Sequence, residues 1–335
     1  MRRRFTGKNK EFNIDNYLTI VALEDGLSVS LSTVCEYCID GDGNWKSLSA
    51  STTDVISKGQ TLSFRGNLIP ALSNGIGTFS ISKRCNLKGN VMSMLFGDNA
   101  ANSTSLSGKN YAFYNLFENC TNIVDVSELK LSATTLADYC YTSMFQGCTS
   151  LTNAPELPAT TLATSCYYYM FSGCTSLTTA PELPATTLAD YCYTSMFQGC
   201  TSLTTAPELS ATTLAESCYY RMFLGCTSLT NAPELPATTL ATSCYYYMFS
   251  GCTSLTTAPE LPATTLAKYC YYAMFSGCSK LNYIKMLATD ITASECLTVW
   301  ASGVSSSGTF VKNKNATWNV TGPYGIPEGW TVQTV

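Results

Sequence analysis

Between residues 120 and 296, apolar and polar positions recur with a 26-residue step, except that the first interval, Cys120 to Cys148, is two residues longer. Within one period, Leu162, Cys166 and Met170 follow i, i+4, i+8, with Phe171 beside them and Gly173 just beyond. That spacing predicts an amphipathic helix of about ten residues, with Thr160 or Thr161 as N-cap and the glycine as its stop. Cys174, Leu177 and the short run SLTTA before Pro181 predict a brief strand. Each period is then one short strand plus one short helix. Neither buries enough alone, so neighbouring coils must stack to make a core.

The two ends differ from the middle. NYLTIVAL, LSVSLSTV, TLSFRGNL and GTFSISKRC alternate apolar and polar residues between Gly, Asp and Asn turns, which predicts a small β-sandwich. NVMSMLFGDNA at 90–100 already carries Met94, Phe96 and Gly97, close to the Met-Phe-x-Gly of a coil. At the far end Cys296, Trp300, Gly303 and Val304 take the positions of Cys270, Met274, Gly277 and Cys278, so Trp300 and Val304 are expected to close the stack. The tail from Thr309 is expected to cover the last coil as a β-hairpin, because terminal repeats need a cap. The expected layout is an N-terminal arm (1–13), a β-sandwich-like domain (14–88), a solenoid (89–304, with regular coils over 120–296) and a C-terminal β cap (305–335).

The string YMFSGCTSLTTAPELP, with its Phe-x-Gly-Cys-x-x-Leu step, resembles the leucine-rich repeats of BspA-like surface proteins over residues 110 to 305. The resemblance implies an α/β solenoid, a right-handed stack of strand-plus-helix coils. The coil here is longer than is typical of those repeats and carries a Pro-Glu-Leu-Pro turn. The whole layout, with YLTIVALEDGLSVSLS in front and IPEGWTV at the end, also resembles proteins of gut Bacteroidales phages and prophages. That likeness implies a recognition protein carried on a virion, with display on a cell surface as the alternative.

Fourteen of the seventeen cysteines fall in two columns. One runs Cys120, Cys148, Cys174, Cys200, Cys226, Cys252, Cys278; the other runs Cys140, Cys166, Cys192, Cys218, Cys244, Cys270, Cys296. Zinc needs four ligands converging on one point, whereas a column delivers one sulfur per coil. Core packing is therefore the expected role, ahead of disulfides or metal. The chain has no histidine. CEYC (Cys35, Cys38), with Cys85 as a third thiol, consequently lacks a completing ligand, and its i, i+3 spacing on a strand sends the two side chains to opposite faces. DGDGN (Asp40 to Asn44) begins like a calcium loop, but Trp45 occupies the glycine position and no glutamate closes it, so a hairpin turn is expected.

A charged fraction of 13%, a net charge of -4 and a pI near 5.0 argue against nucleic acid as the partner. No apolar run is long enough to span a bilayer, and no apolar segment follows the basic start MRRRFTGKNK, so synthesis in the cytoplasm without a secretory signal is expected. The glutamate file Glu128, Glu156, Glu182, Glu208, Glu234, Glu260 is too regular to give the two unlike carboxylates of a glycosidase. Absence of histidine also removes Ser-His and Cys-His catalysis, and no cofactor, metal or catalytic residue is expected.

Coils differ at positions placed on the outer face of the expected helix. There the sequence puts Tyr168 and Tyr169, Tyr220 and Arg221, Tyr246 and Tyr247, and Tyr272. Tyrosine and arginine are favoured at recognition surfaces, so these residues are the expected ligand contacts. The resemblance to BspA-like repeats implies a rival surface, the concave face around Thr178, Thr179, Thr204 and Thr205. The expected function is non-enzymatic recognition of a glycan or protein on a cell surface; the alternative is a structural virion or assembly spacer. Neither ligand nor oligomeric state is set by the sequence.

Overall fold

The computed structural model describes residues 12–49, 52–71 and 75–335. Most of the expected basic arm, residues 1–11, lies outside the described residues. Among the described residues eleven strands are formed: β1 (Leu18–Ala22), β2 (Val29–Leu31), β3 (Cys35–Ile39), β4 (Lys46–Leu48), β5 (Thr61–Arg65), β6 (Phe79–Ile81), β7 (Cys85–Asn90), β8 (Ile123–Lys130), β9 (Tyr283–Met286), β10 (Thr309–Lys312) and β11 (Thr331–Thr334). The front of the chain holds a six-stranded sheet in the order β4-β3-β5-β1-β7-β8 and a two-stranded sheet, β2-β6. Its alternating residues face one core, with Leu18, Ile20, Leu62, Phe64 and Leu87 buried.

The front sheet does not end where the repeats begin. Strand β7 pairs in parallel with β8, which belongs to the first coil. Phe79 on β6 stacks on Phe117 at 5.2 Å, and its carbonyl accepts the thiol of Cys120 at 3.0 Å. Phe79 therefore serves as the first rung of ladders that the repeats continue.

The coils contain no α-helix, which corrects the expected strand-plus-helix unit. An α-helix would bond each N–H to the carbonyl four residues back. Here alternate residues do two different things. Cys166, Tyr168, Met170, Ser172 and Cys174 donate to the carbonyl three residues back. The residues between them reach the next coil: Ser165 N–H to Asp190 O, Tyr167 to Cys192, Tyr169 to Thr194, Phe171 to Met196 and Gly173 to Gln198, at 2.7 to 3.0 Å. Every fourth residue turns into the left-handed region, giving the columns headed by Tyr111, Asn115 and Asn119.

This ribbon has a period of four, in which two residues face in and two face out. Cys166 and Tyr167 are in, Tyr168 and Tyr169 out; Met170 and Phe171 are in again. Over nine residues that pattern satisfies i, i+4, i+8 as well as a helix does, and better at the second step, where a 3.6-residue period has drifted by about 80°. A lone helix of this length is marginal. The cross-coil bonds satisfy the same N–H groups while also fixing the stack.

Left-handed backbone is uncommon for residues other than glycine and costs roughly 1–2 kcal/mol at each. It occurs here at Tyr191, Arg221 and even the β-branched Val299, at φ 58, 54 and 46°. In the third column glycine serves from Gly147 to Gly303, after Asn119 at its head, and the left-handed φ of 72 to 77° rather than lack of space favours it there. A Cβ on Gly173 would meet the Gly147 backbone at 3.7 Å, and each glycine in turn faces the next.

The brief strand is reduced to single parallel bridges, Asp125↔Asn153↔Thr179↔Thr205↔Asn231, with a second file at Thr135↔Thr161↔Thr187↔Thr213↔Thr239. Proline explains the truncation, since Pro155, Pro181, Pro207, Pro233 and Pro259 have no N–H for a ladder. Ser127 holds that place in the first coil and Lys285 in the last. There the full strands β8 and β9 form.

The C-terminal cap is a parallel sheet, β11-β10-β9. This corrects the expected hairpin: residues 313–330 carry the chain back, so β10 and β11 run the same way. Trp300 is fully buried, lies edge-on to Phe275 at 6.1 Å and donates its indole N–H to Gly325 O at 2.7 Å. Val304 is only half-buried.

Candidate functional site

The inner side chains form ladders. Phe117, Phe145, Phe171, Phe197, Phe223, Phe249 and Phe275 stack at 5.5 to 5.7 Å with ring planes within 10°. Tyr141, Tyr167, Tyr193, Tyr219, Tyr245 and Tyr271 stack likewise at 5.7 to 5.9 Å with planes within 12°. All seventeen cysteines are free and buried. In one column each thiol donates to a phenylalanine carbonyl of the preceding coil, as Cys148 to Phe117, Cys174 to Phe145, Cys200 to Phe171, Cys226 to Phe197, Cys252 to Phe223 and Cys278 to Phe249, at 3.0 to 3.2 Å. Those of the other column, Cys140, Cys166, Cys192, Cys218, Cys244, Cys270 and Cys296, are buried too, with Cys140 reaching Cys166 O at 4.0 Å and Cys296 donating to Ile291 O at 3.3 Å. Burial pushes Cys166, Cys200 and Cys218 up to about 12, so these groups are neutral thiols rather than thiolates.

In the front domain burial likewise raises Cys35 to about 12 and Cys38 to about 11. Cys35 joins the main apolar core, while Cys38 sits under the turn at Gly41 and Gly43. DGDGN links the antiparallel pair β3 and β4, with Asp42 accepting the N–H of Asn44 at 2.8 Å. Among the described residues, no group of three or more His, Cys, Asp or Glu is placed to hold a metal ion, and no helix is long and apolar enough to cross a membrane.

The outer pairs carry the aromatic stripe. Tyr220 stacks on Tyr246 at 4.8 Å and Tyr246 on Tyr272 at 4.5 Å, with planes within 10°. Tyr247 leans on Tyr246 at 4.9 Å and on Tyr272 at 5.7 Å. The Arg221 guanidinium lies 5.0 Å from the Tyr220 ring centre and 5.3 Å from that of Tyr247, distances typical of cation–π attraction. Tyr168 and Tyr169 meet edge to face at 4.4 Å.

Two features of the stripe were not legible in the sequence. These residues are half-buried rather than exposed: the rings of Tyr220, Tyr246 and Tyr272, one coil apart, lie flat on each other, and Tyr168 packs on Tyr169 beside it. The file is also broken. Thr194 and Ser195 separate Tyr168 and Tyr169 from the run beginning at Tyr220, and both are buried, with Thr194 donating its hydroxyl to Ser217 O at 2.7 Å. Burial raises Tyr168 and Tyr246 to about 12.

A further surface escaped the sequence reading. Consecutive Pro-Glu turns enclose open grooves, one of ≈ 510 Å³ between the turns at Glu156 and Glu182 and one of ≈ 530 Å³ between those at Glu208 and Glu234. All six glutamates are exposed. Glu260 pairs with Lys285 at 2.9 Å, and Lys88 lies in register with Glu128. The repeated PELP was the available signal, but a groove exists only once two turns are stacked. On the rival face, Thr178 and Thr204 are exposed, but the Thr178 hydroxyl turns to the neighbouring Thr152 carbonyl at 3.5 Å.

A stack of like coils with its polar variation confined to an outer stripe defines a solenoid repeat protein. Six copies of the BspA type leucine rich repeat match residues 109–232 and 196–296, more than half of the chain. The protein belongs to the BspA-type leucine-rich repeat family. No curated protein and no solved structure matches it.

Proposed function

We propose that the protein recognises a glycan or protein on a cell surface through the aromatic stripe of its solenoid. Repeat proteins of this family serve in protein–protein or surface binding and are in general non-enzymatic. The observation that carries the reading is the run Tyr220, Tyr246, Tyr272 with Arg221 packed between rings. These groups sit on backbone held by cross-coil hydrogen bonds, so little order is lost when a ligand docks. Aromatic and arginine side chains are also those that most often dominate binding energy.

The likeness of the front domain and the IPEGWTV ending to phage and prophage proteins supports a tail-associated receptor-binding role on gut Bacteroidales. Labelled protein is expected to bind such cells saturably, and replacing Tyr168, Tyr220 and Tyr246 by alanine should weaken binding by about tenfold or more. Absence of binding, or binding that survives the triple replacement, rejects the reading.

One observation favours a spacer instead: residues 137–148 and 189–200 are identical in sequence, ADYCYTSMFQGC. A spacer would lose a whole 26-residue coil without any change in partner binding.

A further inference from the structure

The two grooves between Pro-Glu turns are open and mostly apolar. Pro155, Leu157, Pro158, Pro181 and Pro184 line the first, and Pro207, Leu209, Pro233 and Pro236 the second. Glu156 and Pro158 are exposed while Leu157 between them is buried, and the next coil repeats this at Glu182, Leu183 and Pro184. An apolar strip thus runs beside a file of carboxylates. Glu156, Glu182, Glu208 and Glu234 have no ion-pair partner among the described residues. Coils stack at about the 4.8 Å spacing of parallel strands, close enough for these like charges to repel.

The ends of the file show what it accepts. Lys88 on β7 lies in register with Glu128. Lys285, one coil beyond Glu260 by the bridge Leu261↔Met286, pairs with that glutamate at 2.9 Å. Lys130 lines the groove that Glu128 and Glu156 share. Each end is therefore closed by a lysine of the chain itself, and the four middle carboxylates are left to a partner.

We propose that these grooves bind an extended, lysine- or arginine-rich peptide segment of a partner protein. Its cationic groups meet the glutamates, and its methylene stems lie on the prolines, as long cationic side chains do on apolar surface. Four prolines in the first groove leave few N–H donors, so an acidic peptide or an added strand finds few partners there. Four extended residues span about 13 Å, close to the three coil steps, about 14 Å, from Glu156 to Glu234. The proposal uses no residue of the aromatic stripe and does not rest on the recognition role.

The test titrates the full chain with hexalysine, hexaserine and hexaglutamate. Hexalysine alone is expected to bind saturably. Glu182→Gln with Glu208→Gln should weaken it about fivefold. Glu24→Gln with Glu328→Gln removes the same charge at exposed positions outside the grooves and should change it by less than about twofold. Pro158→Ser with Pro184→Ser should weaken it about threefold; serine is admissible because Ser210 already stands in that column. No saturable binding of hexalysine, equal losses in the two glutamine pairs, or full affinity in the serine pair overturns the proposal. Deleting residues 1–11, which hold Arg2, Arg3, Arg4, Lys8 and Lys10, should leave the affinity unchanged. A gain of about tenfold would make that segment the occupant in place of a partner and overturn the proposal.

Discussion

The thiol of Cys174 donates to the carbonyl oxygen of Phe145, 3.1 Å away in the preceding coil. The same carbonyl accepts the N–H of Cys148 in its own coil. The cysteine column therefore clamps each coil to the one before it, with sulfur filling space and supplying a weak hydrogen bond at once.

Removing one clamp should be costly but local. Cys200→Ala is expected to lower stability by ~1–2 kcal/mol, since it deletes a buried sulfur and its bond to Phe171 O. Urea unfolding with an unchanged slope checks this; a change below a few tenths of a kcal/mol would show that the column is filler without a clamp.

The aromatic ladder should carry more. Phe197 packs between Phe171 and Phe223 at 5.7 Å on each side, and Phe197→Ala is expected to destabilise by ~3–5 kcal/mol. Hydrogen exchange should show the loss concentrated in the adjoining coils, because each coil contacts chiefly its neighbours. Uniform loss of protection from end to end would contradict that.

Alkaline pH should unfold the protein. Cys200 titrates near 9.0 when solvated and near 12 when folded, burial being the main cause. Above pH 9 the unfolded chain gives up protons that the folded chain keeps, so stability is complete below 9 and falls as pH rises towards 12. Denaturation midpoints at pH 8, 9 and 10 should fall in that order, and alkylating reagents should reach the repeat thiols only when the chain is unfolded. A midpoint that holds steady to pH 10 would contradict the burial argument.

Val299 sits at φ 46° with a branched Cβ. Val299→Asn should therefore stabilise by about 1 kcal/mol, because asparagine tolerates the left-handed region and the valine is only half-buried. A lower melting temperature in this variant would mean that its packing outweighs the strain.

Coil deletion tests the ribbon directly. Excising residues 164–189 joins Ala163 to Asp190, keeps every column in register and should leave a folded, cooperative protein. Excising one residue fewer shifts each in-in-out-out pair and should not. Circular dichroism and melting of the two deletions separate these outcomes.

The sequence by itself determined the 26-residue period, the coil boundaries, the membership of the buried columns and the need for unlike ends. Each follows from burial and repetition, which composition at Cys140, Tyr141, Met144 and Phe145 displays without any structure. The segment at Leu162 to Gly173 shows where that reading ends. Helix and four-residue ribbon place the same apolar residues inward over nine positions. What separates them is whether Tyr167 N–H bonds within its coil or to Cys192 O of the next, a choice between partners 25 residues apart. The interruption of the stripe likewise became visible only when stacking set Ser195 between Tyr169 and Arg221 and removed it from water. Local pattern fixes which side chains are buried; only the stacked coils decide where each backbone N–H finds its oxygen, and therefore which outer side chains meet.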